Sequence, residues 1–187
     1  MLRKKLFVVL LIFSALASTS SYANASVTTS ISFQTADSSF GAAEVMFAQM
    51  MIPHHQQAIR MSKFALANSS NPKVLALARN IIKAQTREVA RMNRWLRVAK
   101  AGVASATDMG MRGMLTDQQL KVLGKLKDSK FDRMYFYQMI FHHQGALQSV
   151  SIIANSRNIE AKALAGSIKS TQSAEISAMK SMLAAIK

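Results

Sequence analysis

Met51-Ile52-Pro53-His54-His55-Gln56-Gln57-Ala58-Ile59 returns 88 positions later as Met139-Ile140-Phe141-His142-His143-Gln144-Gly145-Ala146-Leu147. These two segments contain all four histidines of the chain. A second echo follows each of them. Leu77-Ala78-x-x-Ile81-x-x-x-Gln85-x-x-Glu88-x-x-x-Met92-x-x-x-Leu96 matches Leu164-Ala165-x-x-Ile168-x-x-x-Gln172-x-x-Glu175-x-x-x-Met179-x-x-x-Leu183 at an offset of 87, so the two halves differ by one deletion. Within each echo the matched residues recur at steps of three and four, which is the spacing of one face of an α-helix. A duplicated unit that gathers His, Met, Gln and Glu on helical faces predicts a polar site inside a helical bundle.

Working outward, Asp37 is the expected N-cap of a first helix ending near Asn68, with Phe40, Phe47, Met50, Met51, His54, Ala58, Met61 and Ala65 on its apolar stripe. Pro53 lies inside that stripe, removes a backbone donor and is expected to kink the helix beside His54. Asn68-Ser69-Ser70-Asn71-Pro72 is a turn in which Asn71 caps and Pro72 opens the second helix, which runs to about Lys100. Residues 101–115 form a loop rich in Gly and Met. Thr116-Asp117-Gln118-Gln119 has the capping-box pattern and starts a short helix carrying Leu120, Leu123 and Leu126. A third long helix is expected from near Lys130 to Ser156, and Asn158 caps a fourth. The fold class that follows is all-α: an antiparallel four-helix bundle built from two duplicated hairpins, 37–100 and 129–187, with 101–128 between them.

The amino-terminal residues stand apart from this bundle. Arg3, Lys4 and Lys5 precede an apolar run from Leu6 to Ala17, and small-x-small cleavage patterns follow at Ala23 and Ala25; residues 1–25 read as a secretory signal peptide. Residues 26–36 are Ser/Thr-rich and aperiodic, a flexible lead-in. Nothing later resembles a membrane span, and the expected location is periplasmic or secreted. The chain has no cysteine, so an exported fold has no disulfide staples and any soft ligand must be methionine. Of 24 basic and 9 acidic residues, the signal peptide removes three basic ones and leaves a net charge of +12. Arg79, Lys83, Arg87, Arg91, Arg94 and Arg97 line one face of the second helix; in an exported protein a solvated face explains them better than nucleic-acid binding.

The repeated residues carry the chemistry. His54 and His142 fall on the apolar stripes, with His55 and His143 one step further round. Met51 precedes its histidine pair by three and four residues, as Met139 does in the second half, so thioether and imidazole can share one patch. Imidazole is the commonest metal ligand and thioether adds a soft donor. Gln85, Glu88, Gln172 and Glu175 fall on the inner stripes of the second and fourth helices. A buried carboxylate requires a partner, and a facing histidine is the obvious one: Glu88 and Glu175 can hold the second ring N–H of a metal-bound imidazole, or ligate directly. Met109, Met111 and Met114, spaced by glycines, can wrap a soft ion such as Cu(I). Methionine on a helical stripe is otherwise core filler, the reading given to Met46, Met61, Met92, Met134, Met179 and Met182. Duplication would also copy a His–Glu network that serves packing alone.

Several of these motifs resemble the bacterial "domain of unknown function 305" family, over about residues 37–185. The resemblance rests on Met51-Ile52-Pro53-His54-His55-x-x-Ala58-Ile59, on Gln85-x-x-Glu88-x-x-x-Met92-x-x-Trp95-Leu96, on the Met109–Met114 loop, and on Phe131-Asp132-x-x-Tyr135-x-x-x-Met139-Ile140-x-His142-His143-x-Gly145-Ala146. It implies a ferritin-like fold, export and an association with copper. Ser149 stands where the family has a methionine, so Met61 of the first half lacks a counterpart.

The expected function is copper binding, as Cu(I) or Cu(II), for storage, buffering or handover. A ferritin-like oxidase is the rival, but binuclear centres of that kind use Glu-x-x-His motifs and none occurs here. A non-catalytic interaction module with a polar His–Glu core is the third reading. A metal ion is the expected partner, nucleic acid is not, and assembly into a homo-oligomer stays open.

Overall fold

The helix-period stripes fold as six helices in a computed structural model that describes residues 39–103 and 110–186. The signal peptide, the lead-in, Asp37 and Met109 lie outside the described residues. The helices are α1 (Ala42–Asn68), α2 (Pro72–Val98), α3 (Asp117–Lys125), α4 (Asp128–Ser149), α5 (Ser151–Ala154) and α6 (Ile159–Ala185). The fold of the described residues is all-helical.

Local chemistry accounts for most boundaries. The Asn71 side chain accepts the Lys73 N–H at 3.0 Å, with Pro72 opening α2. The Thr116 hydroxyl accepts the Gln119 N–H, and the Gln119 side chain accepts the Thr116 N–H, closing the expected capping box on α3. Asn158 caps α6 through the Ala161 N–H. α2 stops at Val98 because Lys100 turns left-handed at φ 53°, and the Ala101 N–H reaches back to the Leu96 carbonyl. Pro53 is carried within α1, which runs on to Asn68.

Two expectations need correction. The third long helix does not continue to Ser156; α4 ends at Ser149 and a four-residue α5 follows. The Ser149 and Ser151 hydroxyls donate to the Gly145 and Gln148 carbonyls at 3.2 and 2.9 Å, and the Ile153 N–H bonds the Val150 carbonyl three residues back. Serine side chains that compete for helix carbonyls favour such a break. Met46 and Met134 are not core filler: they are 43% and 37% exposed.

α1 packs on α2, and α4 on α6, while the two histidine-bearing helices, α1 and α4, pack on each other. The interior divides into two apolar clusters. One holds Ala58, Met61, Ile81, Tyr135, Met139 and Met179; the other holds Phe47, Met51, Met92, Trp95, Met111 and Ile168. Along both α1 and α4 the histidines fall between the clusters, so they form a polar layer in an otherwise apolar core. Ser62 and Tyr135 tie α1 to α4 by a buried 2.9 Å hydrogen bond. The basic row of α2 is exposed, with Arg91 and Arg94 paired to Glu160.

Candidate metal centre

The polar layer is built from two copies of one arrangement. His54, at 1% exposure, and His55, His142 and His143, at 0%, are all interior. In α1 the His54 and His55 ring centroids are 6.3 Å apart, and in α4 those of His142 and His143 are 6.4 Å apart. Across the α1–α4 contact, His54 and His142 meet with centroids 3.7 Å apart.

The carboxylates expected to hold the histidines do so. His55 Nε2 lies 2.8 Å from Glu88 Oε2, and His143 Nε2 lies 2.7 Å from Glu175 Oε2. Both carboxylates keep an edge to solvent, with side-chain exposures of 12% and 11%. If each Nε2–H donates to its carboxylate, the Nδ1 lone pair is left free. Neither Nδ1 has a hydrogen-bond partner, and neither ring nitrogen of His54 or His142 has one. Each of the four imidazoles therefore leaves at least one ring nitrogen without a hydrogen-bond partner in the buried layer. Gln85 and Gln172 are buried in the same fashion, with both amide heteroatoms unpartnered. A cluster of orphaned buried polar groups is the exception in native cores and calls for an occupant or a role.

Electrostatics keeps the central rings neutral. Burial, followed by the neighbouring His55 and His143, lowers His54 from 6.5 to about 3, while the Arg112 main chain leans toward the ring and opposes the shift. Burial and the same kind of neighbours, His54 first, place His142 well below 6.5. Neutral imidazole is the form that ligates.

The methionines divide. Met51 and Met139 are fully buried one turn from their histidines, in different apolar clusters and so on opposite sides of the polar layer. Met111 turns inward and joins the cluster of Met51, while Met114 packs at its rim. Met111 and Met114 thus both pack against that one cluster. Among the described residues, no three His, Asp or Glu side chains already stand in ion-holding geometry. The donor set as built is a pair of opposed imidazoles, two flanking imidazoles and nearby thioethers, a set suited to soft ions such as Cu(I) or Ag(I).

Sequence reasoning missed the role of Gln57. Its side-chain amide donates to the Leu115 carbonyl at 2.8 Å and accepts the Leu115 N–H at 2.7 Å. The signal was available: Gln57 aligns with Gly145, one of three mismatches inside the repeated motif.

An all-helical protein with a paired-histidine polar layer in its core is the class that this fold and site define. The chain belongs to the family described as "Domain of unknown function (DUF305)", which it matches over residues 44–183. It is similar to a DUF305 protein from Streptomyces coelicolor, with 30% identity, a TM-score of 0.71, and coverage of 76% of this chain and 92% of that one. A DUF305 fragment from Deinococcus radiodurans is 29% identical at a TM-score of 0.71, over 78% and 98%. CopM in its Cu(I)-bound form is 36% identical at a TM-score of 0.64, over 74% and 94%. CopM structures similar to this chain also include Cu(II)-bound, Ag-bound and apo forms. No curated protein matches the chain. No helix among the described residues is long and apolar enough to cross a membrane.

Proposed function

We propose that this protein binds copper outside the cytoplasm, holding ions for storage, buffering or handover, in a central site made by His54, His55, His142 and His143 with Met51 and Met139. The observation that carries this reading is the set of unpartnered nitrogens on four fully buried imidazoles. Buried side-chain nitrogens of native cores are as a rule hydrogen-bonded, and each of these rings leaves at least one unpaired. Copper-bound CopM, at 36% identity, supports the choice of metal. Glu88 and Glu175 orient the outer histidines, and Gln85 and Gln172 line the same polar layer. Met111 and Met114 serve as entry donors for Cu(I), with Met109 the expected third.

The near-equal geometry of the two halves supports a ferritin-like bundle of duplicated hairpins, 37–100 and 129–187, joined through 101–128. The leader at residues 1–25 supports export, after which the lead-in 26–36 precedes the bundle. A carrier fits better than an oxidase, because the carboxylates that the described residues bring to the histidines are two, each engaged by a ring nitrogen.

The test is to purify the mature chain from the bacterial periplasm and measure bound metals, then repeat with all four histidines replaced by alanine. Copper in the wild type and its loss in the variant are expected. Unchanged copper in the variant would remove the central site.

A further inference from the structure

We propose that Gln57 is a positioning residue that seats the strap of residues 111–115 across the histidine layer and so sets the rate at which copper leaves. The inference rests on the copper reading above and adds a determinant of ion exchange to it. One loop crosses a core of two related halves, so the halves cannot contact it alike. They differ where the loop passes. Gln57 grips the strap with paired hydrogen bonds to both main-chain groups of Leu115, at 2.7 and 2.8 Å. Its counterpart Gly145 does the opposite and vacates space: a Cβ there would lie 1.7 Å from the Arg112 carbonyl oxygen. Gly113, at φ 92°, completes the seat, since a Cβ on it would lie 2.8 Å from the His142 Cα.

The strap therefore touches α4 backbone to backbone beside His142, and its Arg112 main chain faces His54. Met111 joins the core cluster that contains Met51, and Met114 packs at its rim. Met114, Leu115 and Gln57 also line a solvent-open groove of about 490 Å³ with Pro53, Gln56 and Arg60. The strap thus carries one thioether in the core and a second at the groove. An ion leaving the histidines for the groove passes the strap, and the amide of Gln57 holds the strap down.

The variants are Gln57→Leu, Gln57→Glu and Gly145→Ala, with Asn71→Ala as control. Asn71 caps α2 through the Lys73 N–H, so its loss is expected to lower stability without touching the strap. Three readouts are taken: hydrogen exchange of the Leu115 amide in the metal-free protein, the rate of Cu(I) transfer to excess chelator, and thermal stability. Gln57→Leu is expected to speed both Leu115 exchange and Cu(I) release about tenfold or more, as expected for losing two buried hydrogen bonds. Gln57→Glu keeps the acceptor for Leu115 N–H and should fall between. Gly145→Ala should speed release and also lower stability, because the added methyl drives the Arg112 main chain off α4. Asn71→Ala should leave release unchanged. Release in Gln57→Leu equal to wild type, or release in all variants tracking stability, would overturn the proposal. If the wild type takes up no copper, the copper reading fails, whereas Leu115 exchange still shows whether Gln57 seats the strap; unchanged exchange in Gln57→Leu would refute the seating itself.

Discussion

The imidazoles of His54 and His142 face each other across the α1–α4 contact, 3.7 Å between centroids, and no nitrogen of either ring makes a well-formed hydrogen bond, although the main chains of Arg112 and His54 approach them. Burying polar nitrogens without partners is unfavourable, so the metal-free core carries a cost that an ion accepting their lone pairs would relieve. Strain of this kind persists at sites where function needs it.

The same pair makes the metal-free protein sensitive to acid. Burial lowers His54 to about 3 and His142 well below 6.5, while in the unfolded chain each titrates near 6.5. Below pH 6.5 the unfolded state takes up protons that the folded state refuses. The histidine contribution is therefore fully present above that pH and is lost as pH falls toward the folded values, at about 1.4 kcal/mol per pH unit for each ring. Urea midpoints of the metal-free protein should drop between pH 7 and pH 5. A midpoint that holds constant across this window would show the rings are not buried neutral.

Replacing both central rings with leucine separates stability from binding. His54→Leu with His142→Leu removes unsatisfied nitrogens and fills the layer with apolar volume, a change that is often neutral or favourable when a buried polar pair goes together. The metal-free double variant should match or exceed wild type at pH 7 by up to about 2 kcal/mol, and its acid sensitivity should shrink. Its copper binding should be lost. Calorimetry and metal analysis on one sample read both; a large loss of stability would mean the rings are needed for packing.

Much of this layer was legible in the sequence, because duplication marks residues twice. Helical spacing placed His54 and His142 inside, and the buried register of Glu88 and Glu175 found their histidine partners, since an interior carboxylate has few alternatives. The strap was not legible. Its seating depends on main-chain approach at Gly113 and Gly145 and on a side-chain grip by Gln57, and no periodic pattern encodes contacts between a loop and a helix backbone. The early end of α4 was missed for a related reason: hydroxyls of Ser149 and Ser151 compete for carbonyls locally, while the apolar period continues through Val150 and Ile153.

In the proposed site Glu88 and Glu175 act through His55 and His143, so their removal should weaken binding without abolishing it. Loss of a carboxylate that orients a metal-bound imidazole lowers affinity by about 10–100-fold. Glu88→Ala and Glu175→Ala should each show such a loss in chelator competition, and Glu88→Gln a smaller one, because the amide oxygen can still accept the ring N–H. Equal losses for alanine and glutamine would argue that the carboxylate binds the ion directly.

The thioethers should set which oxidation state is held. Leucine replaces methionine in a core at nearly constant volume, so Met51→Leu and Met139→Leu test the sulfur more than the packing. Soft Cu(I) and Ag(I) lose a preferred donor, whereas Cu(II) is served by imidazole and loses little. The expected result is a drop of at least about tenfold in Cu(I) affinity, equivalent to ~1.4 kcal/mol, with Cu(II) affinity changed far less. Met51 and Met139 lie in separate apolar clusters on opposite sides of the histidine layer. If each side holds its own ion, the single variants lose half the Cu(I) stoichiometry; if one ion is shared, they keep the stoichiometry and lose affinity. Equal weakening of Cu(I) and Cu(II) in both variants would exclude the two sulfurs as ligands.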